Sequence, residues 1–465
     1  MRDGGWGTVL PAARGLEIYI EESRRRRLAW EEGRLEEASD SASGGVGLRR
    51  LGDSIRFASL EARRPLTHGL TPDESRRFVS HVRSFSPSAR ERKTPGRPRP
   101  ESLPLFPSLL VAEGETPVPP SLETRLKWLS RSEKAARQDP RVRQVQLTLV
   151  DLQKQIAGFT FEGRPFSERR TYMTFVVHVT AEDGQLRQSG YEATAVQGGW
   201  EVLSRTDPVA LATRAARRAL AKLAAPQAPL GEKTVVIAAE AGGTLIHEAV
   251  GHSLEADAIQ DGSSPHFANK VGKVVAGENI TVLDDPTRPG QRGSFIFDDE
   301  GTPAQRTVLI ENGVLRTYLY DHRSAKRGDG PSNGHGRRES FAHRPIPRMS
   351  NTFIAPGPDD PAHILGDLTR GLFVTRLGGG QVNTATGDFV FEVEEGFWVE
   401  NGRVLHPVRG ATLLGNGPDV LRSIDRVGWD LGWSVGTCGK EGQNVPVSDG
   451  LPTLRIPRVV VGGGA

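Results

Sequence analysis

Alternating apolar and polar residues near the start of the chain predict a meander of antiparallel strands. The segment LEIYIEES alternates from Leu16 onward, and two hairpin-like segments follow it, around EEGR and LGDS. Because successive side chains of a strand point to opposite faces, such alternation is typical of a sheet with one buried face. Residues 15–60 are therefore predicted to form a β-meander, and a helix is predicted at about 72–84.

The composition of the chain changes between residues 86 and 120. Pro, Ser and Arg are frequent there, and the hydrophobic residues show no helical or strand periodicity. This composition is typical of a linker or a long excursion. Beyond it, the pattern predicts a helix over 122–138 and strands on both sides of the turn at Asp183 and Gly184. A further helix is predicted after the N-cap residue Asp207.

Short alternating strands with glycine-rich turns dominate the chain from about residue 226. Asn312-Gly313 and Asn401-Gly402 are two-residue hairpin signals, and one helix is predicted after the apolar segment KTVVIAA. The sequence therefore predicts an α+β fold, with an N-terminal α/β region of antiparallel sheet and helices and a largely antiparallel β C-terminal domain with one motif helix. The predicted domains are an N-terminal α+β subdomain, a linker with a central α+β subdomain, and the C-terminal domain, at residues 1–85, 86–225 and 226–465.

Composition and charge limit the classes of protein to which the chain can belong. Of its 465 residues, 36% are hydrophobic and 25% are charged, as in a globular protein of two or three domains. The first 100 residues contain 20 basic and 14 acidic residues, an asymmetry too mild to indicate nucleic-acid binding by itself. The run from Arg24 to Arg27 has two interpretations, a phosphate patch or a solvated strand turn flanked by acids, and we favour the second.

Three features of the sequence indicate where the protein is located. The chain has no run of about 18 apolar residues, so no transmembrane helix is predicted, and its first residues lack the apolar core of a signal peptide. Its single cysteine, Cys438, excludes an internal disulfide framework. We therefore expect a soluble cytoplasmic protein.

The segment GGTLIHEAVGHSLEAD carries the candidate chemistry. His247, Glu248 and His252 have the spacing H-E-x-x-x-H, one residue longer than the zinc-peptidase motif H-E-x-x-H. Histidines at i and i+5 lie about 140° apart on a regular helix, too far apart to hold one ion. A π-bulge would absorb the extra residue, and Gly251, which lacks a Cβ, suits such a distortion. The motif therefore predicts a metal site on a bulged helix.

A third protein ligand has to come from outside the motif. The candidates, near the motif and distant from it, are Glu255, Asp257, His266, His335, His343 and Cys438. Cys438 stands in the glycine-flanked segment GTCGKEGQ, and a thiolate is a good zinc ligand. A lone cysteine is as often a small buried hydrophobe, so the residues alone leave the third ligand open.

Several segments resemble the TldD/PmbA peptidases, a family once called modulators of DNA gyrase, and the TldD-type member most closely. They cover most of residues 240–457, whereas the N-terminal half resembles the family more weakly, through GGVGLRRLGDSIRFAS. The spacing H-E-x-x-x-H and the later cysteine segment are specific for the TldD type, since PmbA (TldE) relatives lack the metal motif. The resembling segments include GGTLIHEAVGHSLEAD, GSFIFDDEGTPAQRTVLIENGVLRTY, NGHGRRESFAHRPIPRMSNTF and CGKEGQNVPVSDGLPTLRI.

This resemblance implies a zinc peptidase whose C-terminal domain is the metallopeptidase domain. His247 and His252 match the family's histidine ligands, Glu248 its catalytic glutamate and Cys438 its third ligand. TldD-type proteins pair with a PmbA/TldE-type subunit into a hollow heterodimer that admits unfolded or short peptides; a homodimer is the alternative. Because the family usually begins with a helix before the first strand, the start of this chain is expected to be shortened.

These inferences together predict a zinc metallopeptidase of the HExxxH type that hydrolyses unfolded or short peptides, with Zn²⁺-activated water and Glu248 as general base. Tyr320, His335 and Arg338 are candidates for substrate binding and oxyanion stabilisation. A peptide that adds to a sheet edge of the C-terminal domain would be recognised through its backbone.

Two other functions stay open, a non-catalytic module that binds gyrase or nucleic acid and a metal-dependent hydrolase of a non-peptide amide. The net charge of −3 over residues 101–465, and the absence of a helix-turn-helix or zinc-finger spacing, argue against nucleic acid.

Overall fold

The structure is a computed structural model that describes residues 15–50, 56–62, 119–200 and 206–463, with five helical positions between 73 and 81. The helix predicted at 72–84 lies outside the described residues except at those five positions. The LGDS turn and the Pro-rich segment up to residue 118 also lie outside them.

Six antiparallel strands form the N-terminal sheet, in the order β3-β2-β1-β4-β5-β6. The first three strands are the predicted meander, and the turn at Glu32 and Gly33 confirms the EEGR hairpin. Strand β1 also pairs with β4, from Ile18 with Phe159 to Glu31 with Gln146. The strands are β1 (Leu16–Glu31), β2 (Arg34–Arg50), β3 (Arg56–Glu61), β4 (Val142–Phe159), β5 (Pro165–Asp183) and β6 (Leu186–Gln197).

The two predicted helices are present as α1 (Leu122–Ala136) and α2 (Pro208–Ala224). Both pack on one face of this sheet. The Asp207 side chain accepts a hydrogen bond from the backbone N–H of Val209, which satisfies one free donor of the first turn of α2. The helix lies very close to β6 at Gly190, where an added Cβ would be 1.9 Å from the carbonyl oxygen of Ala215.

The four arginines from Arg24 to Arg27 lie within β1, and the turn follows only after Glu31, so their predicted position in a turn is wrong. Three of the four are paired with acids. Arg24 pairs with Asp40, and Arg26 pairs with both Asp40 and Asp151. Arg27 pairs with Glu37. The ladder register, which a four-residue window does not reveal, decides these partners.

The polar face of the sheet packs against the C-terminal region through buried ion pairs. Arg49 contacts both Glu17, on the neighbouring strand, and Glu300 in the C-terminal region. Arg170 binds Asp299 with an N–O distance of 2.7 Å. Because buried charges without partners are strongly unfavourable, these pairs fix the orientation of the sheet.

The C-terminal region contains a six-stranded sheet in the order β10-β9-β8-β13-β20-β19. Its strands are antiparallel neighbours except for the parallel pair of β13 and β20. The hairpin at Asn312-Gly313 is confirmed, with the two-residue loop between β9 and β10 and φ of 47° at the asparagine. The strands are β8 (Val282–Asp284), β9 (Thr307–Glu311), β10 (Val314–Leu315), β13 (Asn351–Ile354), β19 (Gly432–Lys440) and β20 (Gln443–Leu451).

A second C-terminal sheet closes into a barrel-like ring in the order β14-β7-β21-β17-β15, because β15 pairs back with β14. The hairpin at Asn401-Gly402 joins β15 to β16, as predicted. Strand β16 extends the ring and β18 pairs with β21. The strands are β7 (Gly231–Ile237), β14 (Arg370–Val382), β15 (Asp388–Glu400), β16 (Arg403–Val408), β17 (Ala411–Asn416), β18 (Arg426–Val427) and β21 (Leu454–Gly463), beside the separate pair β11 (Gly336–Arg337) and β12 (Ile346–Pro347).

The α+β fold is therefore confirmed, with more helices in the C-terminal region than the single motif helix predicted. The additional helices have five to seven residues, too few for a helical period to be visible in the sequence. They are α3 (Ala256–Gln260), α4 (His322–Arg327), α5 (Pro361–Gly366) and α6 (Gly417–Ser423). In the described part of the chain, no helix is long and apolar enough to cross a membrane.

Substitution of Gly190 by Ala is expected to destabilise the chain by about 1–3 kcal/mol, because the new methyl group would overlap the backbone of α2. The free energy of unfolding from urea titration measures this effect. Ser189→Ala, at an exposed position of the same strand, is the control and should change it by less than about 0.5 kcal/mol. Equal stability of the two variants would contradict the close packing of α2 on β6.

Candidate metal centre

The motif residues form one irregular helix that follows β7 and a short 3₁₀ turn, Ala239–Ala241. It begins with an α-helical turn, Thr244–Ile246, continues as a π-helical turn, His247–Gly251, and ends as a 3₁₀ turn, His252–Leu254. We call these three turns the motif helix. The backbone N–H of His252 donates to the carbonyl of His247, five residues earlier. The predicted π-bulge is therefore confirmed.

This turn brings the two imidazoles of the motif together. The ring centroids of His247 and His252 are 5.0 Å apart, and the ring planes are nearly perpendicular, at 89°. On a regular helix the two side chains would point about 140° apart. The extra residue is thus absorbed by the backbone, and both rings face one region.

Gly251 has a different role from the one that the sequence suggested. Its φ of −57° and ψ of −54° are ordinary helical values, so the bulge does not require the conformational freedom of glycine. A Cβ at this position would instead lie 1.9 Å from Sδ of the buried Met349. The absent side chain makes room for this thioether beside the π-turn.

Cys438 supplies a third donor from strand β19. Its Sγ is 3.4 Å from Nε2 of His252, and the donor atoms of His247, His252 and Cys438 all lie within 4.8 Å of one another. Among the residues that the structure describes, no other group of three such donors is this compact. Of the six candidates for a third ligand, the structure brings Cys438 to the two histidines.

Two carboxylates hold the imidazoles from behind. Oδ1 of Asp449, on β20, is 2.6 Å from Nδ1 of His247, and Oε2 of Glu255 is 3.1 Å from Nδ1 of His252. A carboxylate beside Nδ1 favours the imidazole tautomer in which Nδ1 carries the proton. Nε2 then has a free lone pair for a metal. The sequence reasoning did not single out Asp449, which lies 202 residues from His247.

Lys440 links this support to Asp257. Its Nζ lies 3.0 Å from Glu255 and 2.7 Å from Asp257. Asp257 therefore pairs with a lysine and does not join the donor group. Burial by itself would raise the pKa of Glu255, but Lys440 and His252 outweigh it and lower that pKa to about 2. Glu255 is thus an anion that can hold the ring of His252.

The charges of the three donor side chains also favour each other. Burial raises the pKa of the Cys438 thiol, but the two imidazoles lower it by more, to well below its usual value. Burial lowers the pKa of His252, whereas Glu255 and Cys438 raise it, to about 10. The thiolate, which is the metal-binding form of cysteine, is therefore favoured. A bound cation would replace the imidazolium protons as the partner of the thiolate.

Two imidazole nitrogens and one thiolate form the mixed N/S donor set that zinc prefers, and it leaves a fourth position for water or substrate. The donors converge, are largely buried and have carboxylates behind both rings. The residues present therefore fit a zinc ion or a similar transition metal.

Glu248, between the two histidines, is half-buried. Burial raises its pKa from the usual value, while His247 and His252 lower it by a smaller amount. A carboxyl group with a raised pKa next to a metal donor group suits proton transfer near neutral pH.

The three candidates for substrate binding lie outside the donor group. His335 is fully buried, with Nε2 3.0 Å from Oδ1 of Asp284. Arg338 is buried and ion-paired with Glu17. Tyr320 is half-buried against the Tyr318 ring. The substrate roles of Tyr320, His335 and Arg338 stay predictions.

Two candidates for the third ligand make other contacts. Nε2 of His266 contacts the carbonyl of Ala385, and Nδ1 of His343 contacts the hydroxyl of Ser340.

Three family models match the chain. The model of the PmbA/TldA metallopeptidase C-terminal domain matches residues 230–463, that of the central domain matches 115–223, and that of domain 1 matches 16–62. The region that holds the donor group therefore matches a metallopeptidase domain from end to end.

Curated relatives carry similar names. The chain is 38% identical over 338 residues to the metalloprotease TldD homolog of Buchnera aphidicola subsp. Schizaphis graminum, across 71% of this chain and 70% of the relative. It is 33% identical over 466 residues to that of Haemophilus influenzae, across 96% and 92%. The zinc metalloprotease TldD homolog of Saccharolobus solfataricus is 29% identical over 306 residues, across 66% and 68%.

Solved structures share the fold. A Thermotoga maritima protein named as a modulator of a DNA gyrase has a TM-score of 0.74 and 22% identity, across 98% of each chain. TldE from Thermococcus kodakarensis has a TM-score of 0.69 and 19% identity, across 96% of each chain. At these identities the similarity concerns the fold alone.

Substitution of Gly251 by Ala is expected to weaken metal binding by at least about tenfold, because the new methyl group would displace Met349 or the π-turn. Chelator competition measures the affinity for zinc. Adding Met349→Ala to this variant should restore part of the loss. Gly379→Ala, where a Cβ meets open space, is the control. Unchanged affinity of the Gly251→Ala protein would show that close packing here does not shape the centre.

Proposed function

The chain belongs to the PmbA/TldD metallopeptidase family, and on that basis we propose that it is a zinc-dependent peptidase that hydrolyses unfolded or short peptides. The observation that carries this proposal is the convergence of His247, His252 and Cys438 beside Glu248. The name of the Saccharolobus solfataricus relative supports zinc as the metal.

His247, His252 and Cys438 would hold the ion through two nitrogens and one sulfur. When bound, zinc supplies a Lewis acid that polarises a scissile carbonyl and lowers the pKa of water. Asp449 and Glu255 keep the two imidazoles oriented by accepting hydrogen bonds from Nδ1.

Glu248 is assigned the proton transfers. Its carboxylate would accept a proton from the attacking water and deliver it to the amine that leaves when the peptide bond breaks. The raised pKa of Glu248, caused mainly by burial, makes its carboxylate a stronger proton acceptor than an ordinary glutamate, which favours the first transfer. This role requires an ionised carboxylate at the start of each turnover.

Strand β19 supports a peptide as the substrate. It carries Cys438 and is the terminal strand of its sheet, paired on one side with β20 among the described strands. An extended peptide that adds to its free edge would be bound through backbone hydrogen bonds, so recognition would tolerate many sequences.

The partner that we propose is a PmbA/TldE-type subunit in a heterodimer, with a homodimer as the alternative. The shared fold of this chain and TldE from Thermococcus kodakarensis supports the pairing, because subunits of the same fold can associate through equivalent surfaces about a pseudo-twofold axis. Three of the four clustered arginines are paired with acids, which argues against the gyrase-binding or nucleic-acid alternative.

Replacement of Glu248 by Gln should lower kcat by about 10²- to 10⁴-fold, because an amide cannot accept the proton of water. Fold and zinc content should be unchanged. Cleavage of an unfolded peptide, with and without a co-expressed PmbA-type relative, measures the effect, and small non-peptide amides serve as comparison substrates. Glu240→Gln, at an exposed position before the motif helix, is the control. Activity of the Glu248 variant within about tenfold of wild type would refute the role.

Replacement of Cys438 by Ala should lower the zinc affinity and, because a metal that binds only the folded state stabilises it, also the melting temperature. Elemental analysis and thermal unfolding measure the two effects. Val445→Ala, which truncates the buried partner of Cys438 across the β19–β20 ladder, controls for lost packing. Full zinc occupancy at wild-type affinity in the Cys438→Ala protein would mean that another residue completes the site.

A further inference from the structure

A polar cavity lies between the N-terminal sheet and the β19–β20 hairpin. Its volume is about 650 Å³, within the usual range of ligand sites. One wall is the polar face of strands β1, β2, β4 and β5. The opposite wall is formed by the segment around Arg292 and by Thr437, Asn444 and Pro446 of the hairpin.

The hairpin separates this cavity from the donor group. Thr437 precedes Cys438 on β19, and successive side chains of a strand point to opposite faces. Cys438 faces the motif helix, where its Sγ contacts His252, whereas the hydroxyl of Thr437 contacts the Arg292 guanidinium on the other face. A peptide on the free edge of β19 would present its side chains alternately to the metal donors and to this cavity.

Arg292 is a half-buried cation that has no acidic partner among the described residues. Its guanidinium donates to the hydroxyl of Thr174 at 2.6 Å and to that of Thr437 at 3.3 Å, and Nε is buried without a hydrogen-bond partner. Among the described residues, no carboxylate lies within ion-pair distance of it. Because an uncompensated buried charge is unfavourable, this position suits a ligand that brings a negative charge.

Arg25 adds a second free cation to the same cavity. It lines the cavity and is close enough to Arg292 for the two positive charges to repel each other. The other three arginines of the cluster are ion-paired, whereas no described carboxylate pairs with Arg25. The ladder register therefore leaves one arginine of the cluster free and directs it into the cavity.

The other charged side chains of the cavity have described partners, although Glu339 has a backbone N–H as its partner and keeps its negative charge. Glu21 pairs with Lys154 at 3.3 Å, and Glu339 accepts a hydrogen bond from the backbone N–H of Asn444 at 2.7 Å. Two guanidinium groups thus stay available, and guanidinium binds carboxylate through paired, charge-assisted hydrogen bonds.

We infer that Arg25 and Arg292 form a subsite for a carboxylate of the peptide substrate, either an acidic side chain or the free C-terminus. The inference rests on the proposed peptidase function and specifies its substrate class. A peptide that lies along β19 with a carboxylate on the face opposite Cys438 would bind more tightly than its neutral counterpart.

Binding is measured by calorimetry on the full chain with Glu248→Gln, so that no turnover is needed. The probes are four hexapeptides, with alternating Ala and Glu or alternating Ala and Gln, each with a free or an amidated C-terminus. Alternation places all side-chain carboxylates on one face of an extended peptide. Neutralising the relevant carboxylate should weaken binding about tenfold, and the peptide pair that shows the loss identifies the source.

Adding Arg25→Gln should reduce that tenfold difference to less than about threefold. Arg24→Gln, on the same strand but paired with Asp40, is the matched control and should keep it. Arg292→Gln should act like Arg25→Gln, and the exposed position of Arg25 provides a test even if the Arg292→Gln variant does not fold. Equal binding of all four peptides, or a difference that persists in the Arg25→Gln protein, would overturn the subsite.

The same measurements separate this inference from the proposed function. If carboxylate-dependent binding is found but the wild-type chain, alone and with a co-expressed PmbA-type relative, cleaves none of the four peptides, the peptidase function fails and the subsite stands. If the wild-type chain cleaves all four equally and binding is indifferent to charge, the subsite fails and the peptidase function stands.

Discussion

The hydrogen bond from the N–H of His252 to the carbonyl of His247 is the constraint on which the candidate metal centre depends. A regular α-helix would direct these side chains about 140° apart, and no arrangement of the surrounding sheets would then let them hold one ion. The π-turn corrects the direction by absorbing one residue in the backbone. It also needs local space, which the missing side chain of Gly251 leaves for Met349.

The β19–β20 hairpin supplies the remaining residues of the candidate metal centre. It carries the thiol of Cys438 on one strand and the carboxylate of Asp449 on the other, and both side chains face the helix. One hairpin thus supplies a donor for the metal and a hydrogen-bond acceptor for an imidazole. Its opposite face contributes Thr437 to the cavity with the two free arginines. The metal donors and the cavity therefore lie on opposite faces of the same hairpin.

The N-terminal sheet forms the remaining wall of that cavity, and buried ion pairs hold it in place. Arg49 with Glu300, and Arg170 with Asp299, join residues far apart in the chain. Such pairs contribute less to net stability than their number suggests, because both charges lose their hydration. Their directionality, however, limits the sheet to orientations in which every charge has a partner. Arg25 and Arg292 differ from these arginines, because neither has an acidic partner among the described residues.

Much of the secondary structure was determined by the sequence alone. The Asn312-Gly313 and Asn401-Gly402 hairpins depend on residues that tolerate positive φ. The N-cap at Asp207 depends on one side chain and the first turn of its own helix. The π-turn followed from the number of residues between two histidines, since helix geometry fixes their directions. These features are local, so a short window of sequence contains their physical cause.

The contacts that define the site were decided by the tertiary structure. Cys438 lies 186 residues after His252, and the residues alone left open whether it is a metal ligand or a buried thiol. Asp449 gave no local signal, and the partners of Arg24 to Arg27 follow from the ladder register. Gly251 is required by Met349, nearly a hundred residues later. The physical reason is common to all of these: the packing of sheets and helices sets distances between remote side chains, and no local period of the sequence encodes them.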